Sequence, residues 1–221
     1  MLIKPNSHLY TYAITRDFGF APNPFYGVCS LATCKPDIRK SAKEGDWILG
    51  VGGSYLKSAY RKCIYLMQVS ETLTYQDYWT DPRFSIKKPA RNGSHVQLLG
   101  DNIYHLDDDG KWIQEDSHHS YPDGTPNMGN LKRDTGKTDK VLISDFFIYF
   151  GSEPIDVDLH SINHKRVRNY TKKKIDNSPE AKKLILEIIG KNIKKRNMVV
   201  ADPINFSDFH KRANQETGKV E

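Results

Sequence analysis

The chain has 221 residues, with 33 lysines and arginines against 27 aspartates and glutamates, and a formal net charge of +6. This length suits one large domain, or a domain with an extension, and can bury a core without disulfides or a metal. A positive net charge favours polyanions, so nucleic acid and nucleotides are the partner class that we expect.

The sequence argues against membrane insertion and secretion. No apolar run approaches the ~20 residues that a spanning helix needs, and the N-terminus lacks the apolar segment of a signal peptide. The three cysteines, Cys29, Cys34 and Cys63, are sparse and odd in number. They indicate free thiols in a reducing compartment, and therefore a cytoplasmic protein.

The first part of the chain alternates between apolar runs and turn residues. Residues 8–15 and 63–69 are rich in β-branched and aromatic side chains and are predicted as strands. Residues 16–25 contain Gly and Pro and are predicted as a loop, and residues 31–42 as a short helix or turn. Residues 44–53 combine a turn, a short buried strand and several glycines.

The middle of the chain is rich in loops and ends at the strongest predicted strand. A short helix at 75–79 precedes the loop-rich region 83–140. Within that region, an Asp-Gly turn joins two short predicted strands at 102–105 and 111–114. Residues 141–150 have the most pronounced strand composition in the chain.

The C-terminal part is basic and contains a helix. Ser178 caps this helix, and its apolar face extends to Ile189. The order of elements predicts an α+β fold: a β-rich barrel or half-barrel with peripheral helices and a C-terminal helix. We divide the chain into a β-rich domain at 1–160 and, at 161–221, a basic linker, the helix and a partly flexible tail.

The loop at 16–25 is the first candidate ligand site. Arg16 and Asn23 lie among three phenylalanines, a combination that suits a planar, hydrogen-bonding base. Asp17 in the same loop is a candidate general acid or base. The alternative is a structural loop whose polar groups pair with nearby backbone.

The turn and strand at 43–55 form the second candidate. Asp46 enters the strand, and the glycines after it leave room for a ligand or another chain to approach the backbone. Trp47 and Tyr55 are placed to stack on a base, with Ser54 beside them. The alternative for Trp47 is a core position, the usual outcome for a tryptophan in an apolar strand.

The segment at 100–120 is the densest polar cluster. Asn102, Gln114 and Ser117 are candidate ligand-binding residues, and Asp116 and His118 have side chains used in acid–base catalysis. Adjacent residues rarely point at one another, so this spacing is not that of a triad. A polar loop without catalytic function is the alternative.

Cys34 is a candidate nucleophile because a neighbouring cation such as Lys35 lowers the pKa of a thiol. Lys35 is also a candidate phosphate ligand. Cys29 and Cys34 lack the second close pair of a structural zinc site, so we predict no metal, and no motif indicates a cofactor. A further set of basic residues is predicted to hold nucleic-acid phosphates: Arg39, Lys165, Arg166, Arg168 and Lys172. The alternative for the last four is a solvated linker.

Three segments resemble one bacterial family. They are YTYAITRDFGFAPNPFYGVCSLATCKPDIRKSAKEGDWILGVGGS at 10–54, GDNIYHLDDDGKWIQEDSHHS at 100–120 and VLISDFFIYFG at 141–151. Together they are similar to the nucleotide-modification-associated domain family, second type, over the first 160 residues. This resemblance implies a place in the nucleic-acid base modification systems of bacteria and phages, without an established catalytic mechanism.

A weaker resemblance concerns the fold. The turn into the strand at 43–51 and the acidic, aromatic segment at 77–84 are similar to PUA-like barrels of the EVE and YTH types. Such domains often hold a modified base in an aromatic cage. The resemblance implies a PUA-like pseudo-barrel with three cage residues, namely Trp47, Tyr55 and Trp79.

Three hypotheses follow for the function. The first is a module that reads a flat, possibly modified base in an aromatic and polar pocket, within a bacterial or phage modification or defence system. The second is an enzyme of nucleotide modification that uses the Asp, His and Cys residues named above. The third is a non-catalytic partner subunit that binds other proteins through the helix at 178–189.

Overall fold

The computed structural model describes residues 2–165 and 169–212. Within these ranges the strands are β1 (His8–Ile14), β2 (Cys29–Leu31), β3 (Trp47–Gly52), β4 (Cys63–Gln68), β5 (Glu71–Thr74), β6 (Tyr104–Leu106), β7 (Trp112–Gln114), β8 (Lys140–Ser144), β9 (Phe146–Tyr149), β10 (Tyr170–Lys174) and β11 (Met198–Val199). The α-helices are α1 (Pro36–Ser41), α2 (Tyr75–Thr80), α3 (His95–Leu98), α4 (Met128–Thr135) and α5 (Pro179–Asn192). Short 3₁₀ helices lie at Lys57–Ala59, Pro82–Lys87, Ile175–Asn177, Ile193–Lys195 and Phe206–Asp208.

The largest sheet has six strands in the order β10-β1-β3-β4-β9-β11. Strands β1 and β3 are parallel, with Tyr12 opposite Gly50, and β9 and β11 are also parallel. The remaining neighbours are antiparallel. Every residue of β3 is buried, which is typical of a strand covered on both faces.

The two faces of this sheet bury different clusters. Because successive side chains of a strand point to opposite faces, Leu9 and Trp47 pack on one side with α5, and Tyr12 and Ile48 lie on the other. Trp47 is fully buried and packs edge-on against Phe146, with 5.6 Å between ring centroids. It is therefore a core residue on the face that lies away from the cavity described below.

The glycines of β3 make room for the protein's own groups. A Cβ on Gly50 would lie 2.1 Å from the ring of Tyr65, and a Cβ on Gly52 would lie 1.9 Å from the carbonyl oxygen of Ala59. Both distances are far below van der Waals contact. These glycines accommodate packing of the chain on itself.

The predicted strand at 141–150 is two strands that join different sheets. Strand β8 lies between β2 and β5 in a three-stranded antiparallel sheet, whereas β9 belongs to the six-stranded sheet. The exposed Asp145 separates the two. The α+β class is confirmed, but the described strands form three separate sheets, so the PUA-like pseudo-barrel is not confirmed.

The loop-rich region contains the predicted hairpin and two α-helices that were not predicted, α3 and α4. Strands β6 and β7 pair antiparallel, which confirms the hairpin. Helix α4 begins after Asn127, whose side chain accepts a hydrogen bond from the amide of Asn130 at 3.0 Å. This helix carries Arg133 and Asp134, and it places both beside the candidate active site.

The C-terminal part packs on the same sheet as the N-terminal part. Strand β10 pairs with β1, β11 pairs with β9, and α5 buries its apolar face in the cluster that contains Trp47. The predicted helix is confirmed, with Ser178 as its cap. The division that we predicted at residue 160 therefore separates elements that pack together. None of the helices in the described ranges combines the length and apolar character needed to cross a bilayer.

Candidate active site

Cys34 lies in a strained turn between β2 and α1. Cys34 and Lys35 both have positive φ, 57° and 42°, a region that non-glycine residues rarely occupy. Two contacts hold the turn: the Cys34 amide donates to Asp134 Oδ1 at 3.0 Å, and Arg39 Nε donates to the Cys34 carbonyl at 2.8 Å. Strained strand-to-helix turns are one means by which proteins expose a nucleophile.

The Cys34 thiol is within hydrogen-bonding distance of a histidine, and that histidine is hydrogen-bonded to an aspartate. Cys34 Sγ lies 3.7 Å from Nε2 of His119, and Nδ1 of His119 lies 2.9 Å from Oδ2 of Asp134. The side chains of His119 and Asp134 are both buried. A nucleophile, a base and a group that orients the base form the arrangement of a nucleophilic triad.

Asp134 is the point at which several donors meet. Besides the contacts to Cys34 and His119, it accepts hydrogen bonds from Tyr104 Oη at 3.0 Å and from Arg133 Nε at 2.9 Å. The carboxylate is completely buried, so it depends on these donors to remain charged. The arrangement fixes the position of the histidine ring.

The backbone of the His119 loop is also held in place. Gln114 Nε2 and Asn130 Nδ2 both donate to the carbonyl oxygen of His119, at 3.3 and 2.8 Å. Ser117 Oγ accepts from the His119 amide at 3.3 Å. Gln114 and Ser117, predicted as ligand-binding residues, therefore hold the backbone of the His119 loop in place.

The charges of the triad favour a thiolate paired with an imidazolium. Burial raises the pKa of Cys34, but the charges of Arg133 and His119 outweigh it and lower that pKa below its ordinary value. Burial likewise lowers the pKa of His119, but Asp134 and Cys34 raise it overall. Burial acts against Asp134 too, and His119 and Arg133 still hold its pKa well below the ordinary value.

The thiol opens into a cavity of about 250 Å³. Its lining combines aromatic rings, cations and the cysteine and histidine described above: Tyr12, Ile14, Thr15, Arg16, Phe18, Phe20, Ala21, Cys34, Lys35, His118, His119 and Arg133. Phe18 and Phe20 pack against the ring of His118, with centroids 4.6 and 5.1 Å apart. The structure thus brings four predicted residues together here, namely Arg16, Cys34, Lys35 and His118.

His118 and His119 have opposite protonation preferences although they are adjacent. Burial and the surrounding cations, His119 first among them, lower the pKa of His118 to about 3. At physiological pH an imidazole with so low a pKa is neutral, so it cannot act as a general acid, and it is a weak base. This protonation state argues against the acid–base role predicted for His118.

Asp116 does not face the thiol. It pairs with Arg91 and with Arg212, both at 3.1 Å. Arg212 also donates to the Ser117 carbonyl at 3.1 Å. Asp116 therefore ties the C-terminal segment to the histidine loop.

Asp17 is buried beneath the same segment. It accepts hydrogen bonds from the hydroxyl of Tyr149 and from the Ile204 amide, the latter at 3.2 Å, and its own amide donates to Asn205 at 2.9 Å. Burial raises its pKa to about 6, although these donors act in the opposite direction. This geometry anchors residues near 204 rather than presenting Asp17 to the cavity.

The raised pKa of Asp17 predicts a pH dependence of stability. Between about pH 4 and 6, the folded state keeps a proton that the unfolded state has released, so stability falls as the pH rises through this window. We expect the free energy of unfolding to fall, relative to an Asp17→Asn variant, by at most about 1.4 kcal/mol per pH unit. Urea unfolding of both proteins from pH 3.5 to 7 measures this difference, and parallel curves would contradict it.

A second buried polar cluster surrounds Lys87. Its ammonium donates to Asn23 Oδ1 at 2.9 Å, to the Val28 carbonyl at 2.7 Å and to Ser30 Oγ at 3.2 Å. Ser30 in turn donates to Asp101 at 2.6 Å. Asn23, predicted to read a base, is therefore part of a structural network.

Four other predicted ligand residues also lie away from the cavity. Asn102 is buried and donates to the Tyr78 carbonyl at 2.8 Å. Asp46 is buried and accepts from the amides of His8 and Lys43 at 2.7 and 3.0 Å. Trp79 stacks on His105 at 4.1 Å and lies under Lys88. The fourth is Trp47, in the core.

Ser54 and Tyr55 are exposed near the entrance. The ring of Tyr55 is 75% exposed, and the guanidinium of Arg16 lies 6.0 Å from its centroid. Since Arg16 lines the cavity, Tyr55 is close enough to contact a ligand that extends out of it. Neither residue lines the cavity itself.

The residues predicted to hold nucleic-acid phosphates fall into three groups. Arg39 is completely buried, and its guanidinium donates to the carbonyls of Cys34, Asp134 and Lys140. It supports the active-site turn and cannot meet phosphate. Lys165 and Lys172 are exposed, whereas Arg166 and Arg168 lie outside the described residues.

Three important residues were not predicted: His119, Arg133 and Asp134. The adjacent histidines were a signal, but the sequence does not say which of two neighbours faces a given thiol. Arg133 and Asp134 lie in a helix that was read as loop. Within residues 2–165 and 169–212, no group of three or more His, Cys, Asp or Glu side chains has the geometry to hold a metal ion.

The fold and the site define an α+β protein with a cysteine, histidine and aspartate arranged around a small basic cavity. The chain belongs to the family described as nucleotide modification associated domain 2, whose model matches residues 6–210. The resemblance predicted from three segments is confirmed, and the match extends through β10, α5 and β11. No curated protein and no solved structure matches this chain.

Proposed function

We propose that this protein is a nucleotide-modifying enzyme in which Cys34 is the nucleophile. The observation that carries the proposal is the continuous chain from the Cys34 thiol through His119 to Asp134 at the wall of a cavity. Membership of the nucleotide modification associated domain 2 family supports a nucleotide as the substrate. His119 acts as base and acid, and Asp134 orients its ring.

The reaction class that these groups support is substitution at an electrophilic sp² carbon of the substrate. The thiolate donates its electron pair to that carbon, and the electron pair of the C=O or C=N bond moves to the heteroatom. The guanidinium of Arg133 stabilises the negative charge that develops there. The carbon–heteroatom double bond re-forms as the bond from carbon to the leaving group breaks, and the His119 imidazolium protonates that leaving group. Water, deprotonated by His119, then attacks the same carbon, and cleavage of the C–S bond releases the product and returns Cys34 as the thiolate.

Recognition of the base is a second part of the proposal. Phe18, Phe20 and the neutral ring of His118 supply flat walls. Within the described part of the chain, the nitrogens of His118 have no hydrogen-bond partner, and the residue is 7% exposed. A neutral imidazole offers one donor and one acceptor, which suits the edge of a base.

The second candidate function is a base-reading module without turnover, which these same ring walls favour. A third is a partner subunit of a modification system. Both leave Cys34 without a chemical task. Measuring the reactivity of the Cys34 thiol therefore distinguishes the enzyme from the base-reading module and from the partner subunit.

The test is selective reaction at Cys34. We expect iodoacetamide to modify Cys34 with a half-maximal rate below pH 8.5, the ordinary pKa of a thiol, because the pKa of Cys34 is lowered. Cys29 and Cys63 are buried and their pKa values are raised, so they serve as internal controls. Peptide mass spectrometry across pH 5–10 measures all three sites.

The same protein is then incubated with deoxynucleotides and with short single-stranded DNA. An intact-mass increase that is lost in the Cys34→Ser variant would identify the covalent intermediate. A Cys34 thiol that titrates as an ordinary or raised thiol, with no adduct on any substrate, would leave the base-reading module as the better account.

A further inference from the structure

The cavity beside Cys34 is strongly biased towards positive charge. Arg16, Lys35 and Arg133 contribute to its lining, and no Asp or Glu of the described chain does. A His119 imidazolium paired with the Cys34 thiolate adds no net charge, so the excess comes from the three other cations. In a small, partly enclosed space, such charges act on each other and on a ligand more strongly than they do in water.

Two of these cations have no carboxylate partner among the described residues. Arg133 is paired with Asp134 at 2.9 Å, but neither Arg16 nor Lys35 forms a salt bridge with any residue in the ranges 2–165 and 169–212. Lys35 contacts the Tyr12 ring, with its ammonium 4.6 Å from the centroid. The guanidinium of Arg16 lies 6.0 Å from the centroid of the exposed Tyr55 ring.

The environment of Lys35 makes this absence costly. Its pKa is lowered chiefly by burial and also by Arg133, with the Cys34 thiolate acting in the opposite direction. A partly buried cation without an anion is unfavourable. An anionic group of the substrate would relieve that cost, whereas a neutral group would not.

We infer that Arg16 and Lys35 form a subsite for the phosphate of a nucleotide, so that the Cys34 site acts on a nucleoside phosphate rather than on a neutral nucleoside or free base. The inference rests on the proposed function for the identity of the reacting group. The cavity of about 250 Å³ lies at or below the lower end of the ~300–1,000 Å³ typical of ligand pockets. It therefore takes the reacting part of one nucleotide at a time.

The first experiment compares two alkylating agents at Cys34. Iodoacetate carries a negative charge and iodoacetamide is neutral. Both react with the same thiolate, so the ionised fraction of Cys34 cancels in the ratio of their rates. The ratio therefore reports the electrostatic potential at Cys34. We expect the iodoacetate-to-iodoacetamide ratio to fall about ten-fold when both Arg16→Gln and Lys35→Gln are introduced. A double variant, Lys132→Gln with Lys194→Gln, removes the same net charge from exposed positions outside the cavity and should keep the ratio within about two-fold.

The second experiment measures binding and does not depend on thiol reactivity. Titration calorimetry is performed with the four deoxynucleoside 5′-monophosphates and the four matching nucleosides, on wild type and on the Cys34→Ala variant. We expect the monophosphates to bind at least ten-fold more tightly than the nucleosides, and this preference to be lost in the Arg16→Gln, Lys35→Gln variant. Circular dichroism melting confirms that each variant is folded.

A third arm distinguishes free nucleotides from strands. A 5′-phosphorylated single-stranded trinucleotide is titrated beside the monophosphates, and tighter binding of the trinucleotide would identify a strand as the source of the phosphate. Equal binding of nucleosides and monophosphates by wild type would overturn the subsite. That result would leave the proposed function intact if Cys34 is reactive, and an unreactive Cys34 with clear phosphate preference would overturn the proposed function alone.

Discussion

Replacing His119 by Gln should slow the alkylation of Cys34 at pH 7 by about ten-fold. An ordinary thiol is only a few per cent ionised at pH 7, and the charges of Arg133 and His119 lower the pKa of Cys34, which increases its thiolate fraction. Loss of the imidazolium removes one of those charges and the hydrogen bond at 3.7 Å. The fall is smaller than the loss of thiolate, because thiolates of low pKa are intrinsically less nucleophilic.

The adjacent histidine provides the comparison. His118→Gln should change the alkylation rate of Cys34 by less than about three-fold, because His118 makes no hydrogen bond to the thiol and its low pKa keeps it neutral. The rates are measured with iodoacetamide and peptide mass spectrometry on both variants. Equal effects of the two substitutions would mean that the histidines act through loop structure rather than through charge.

Replacing Lys87 by Met should destabilise the fold more than any substitution proposed above. Lys87 is 1% exposed, and its ammonium donates to oxygens of Asn23, Val28 and Ser30. The variant leaves these acceptors without a hydrogen-bond donor, and it leaves the buried Asp101 without the nearby cation that lowers its pKa. Removal of one member of a buried charged network costs about 3–5 kcal/mol, which lowers Tm by roughly 10 °C in a chain of this size.

The next residue is a matched control for the Lys87 experiment. Lys88 has the same side chain, but its ammonium lies over the partly exposed ring of Trp79 at 3.6 Å. Lys88→Met should therefore cost about 1 kcal/mol or less. Urea unfolding at pH 7 measures both variants, and a Lys87→Met protein as stable as Lys88→Met would show that the buried ammonium contributes nothing to stability.

Sequence-based prediction named residues whose own side-chain chemistry is distinctive. It proposed Cys34 beside Lys35 as a nucleophile and Arg16 as a ligand contact, and all three line the cavity. It did not find Asp134, because 100 residues separate it from Cys34 along the chain. The choice between His118 and His119 depended on the loop that Gln114 and Asn130 hold, a contact that no local pattern encodes.

Polar residues were over-predicted as ligand contacts for a related reason. Asn23, Asp46, Asn102 and Arg39 have the side chains of a binding site, and each is instead used to satisfy buried backbone or charged groups. The same types of polar side chain occur in ligand-binding sites and in buried structural networks. Only their burial and partners distinguish a ligand contact from a structural one.

The sequence by itself determined the α+β class, the main strands, the capped helix α5, the family and the free cysteines. Each of these depends on local composition or periodicity, which neighbouring residues encode. The tertiary structure alone decided which face of β3 lies towards the cavity, how the strand at 141–150 divides between two sheets, and which histidine meets Cys34. These depend on strand pairing and on contacts between residues far apart in the chain, so the free energy that selects them comes from packing of the whole domain.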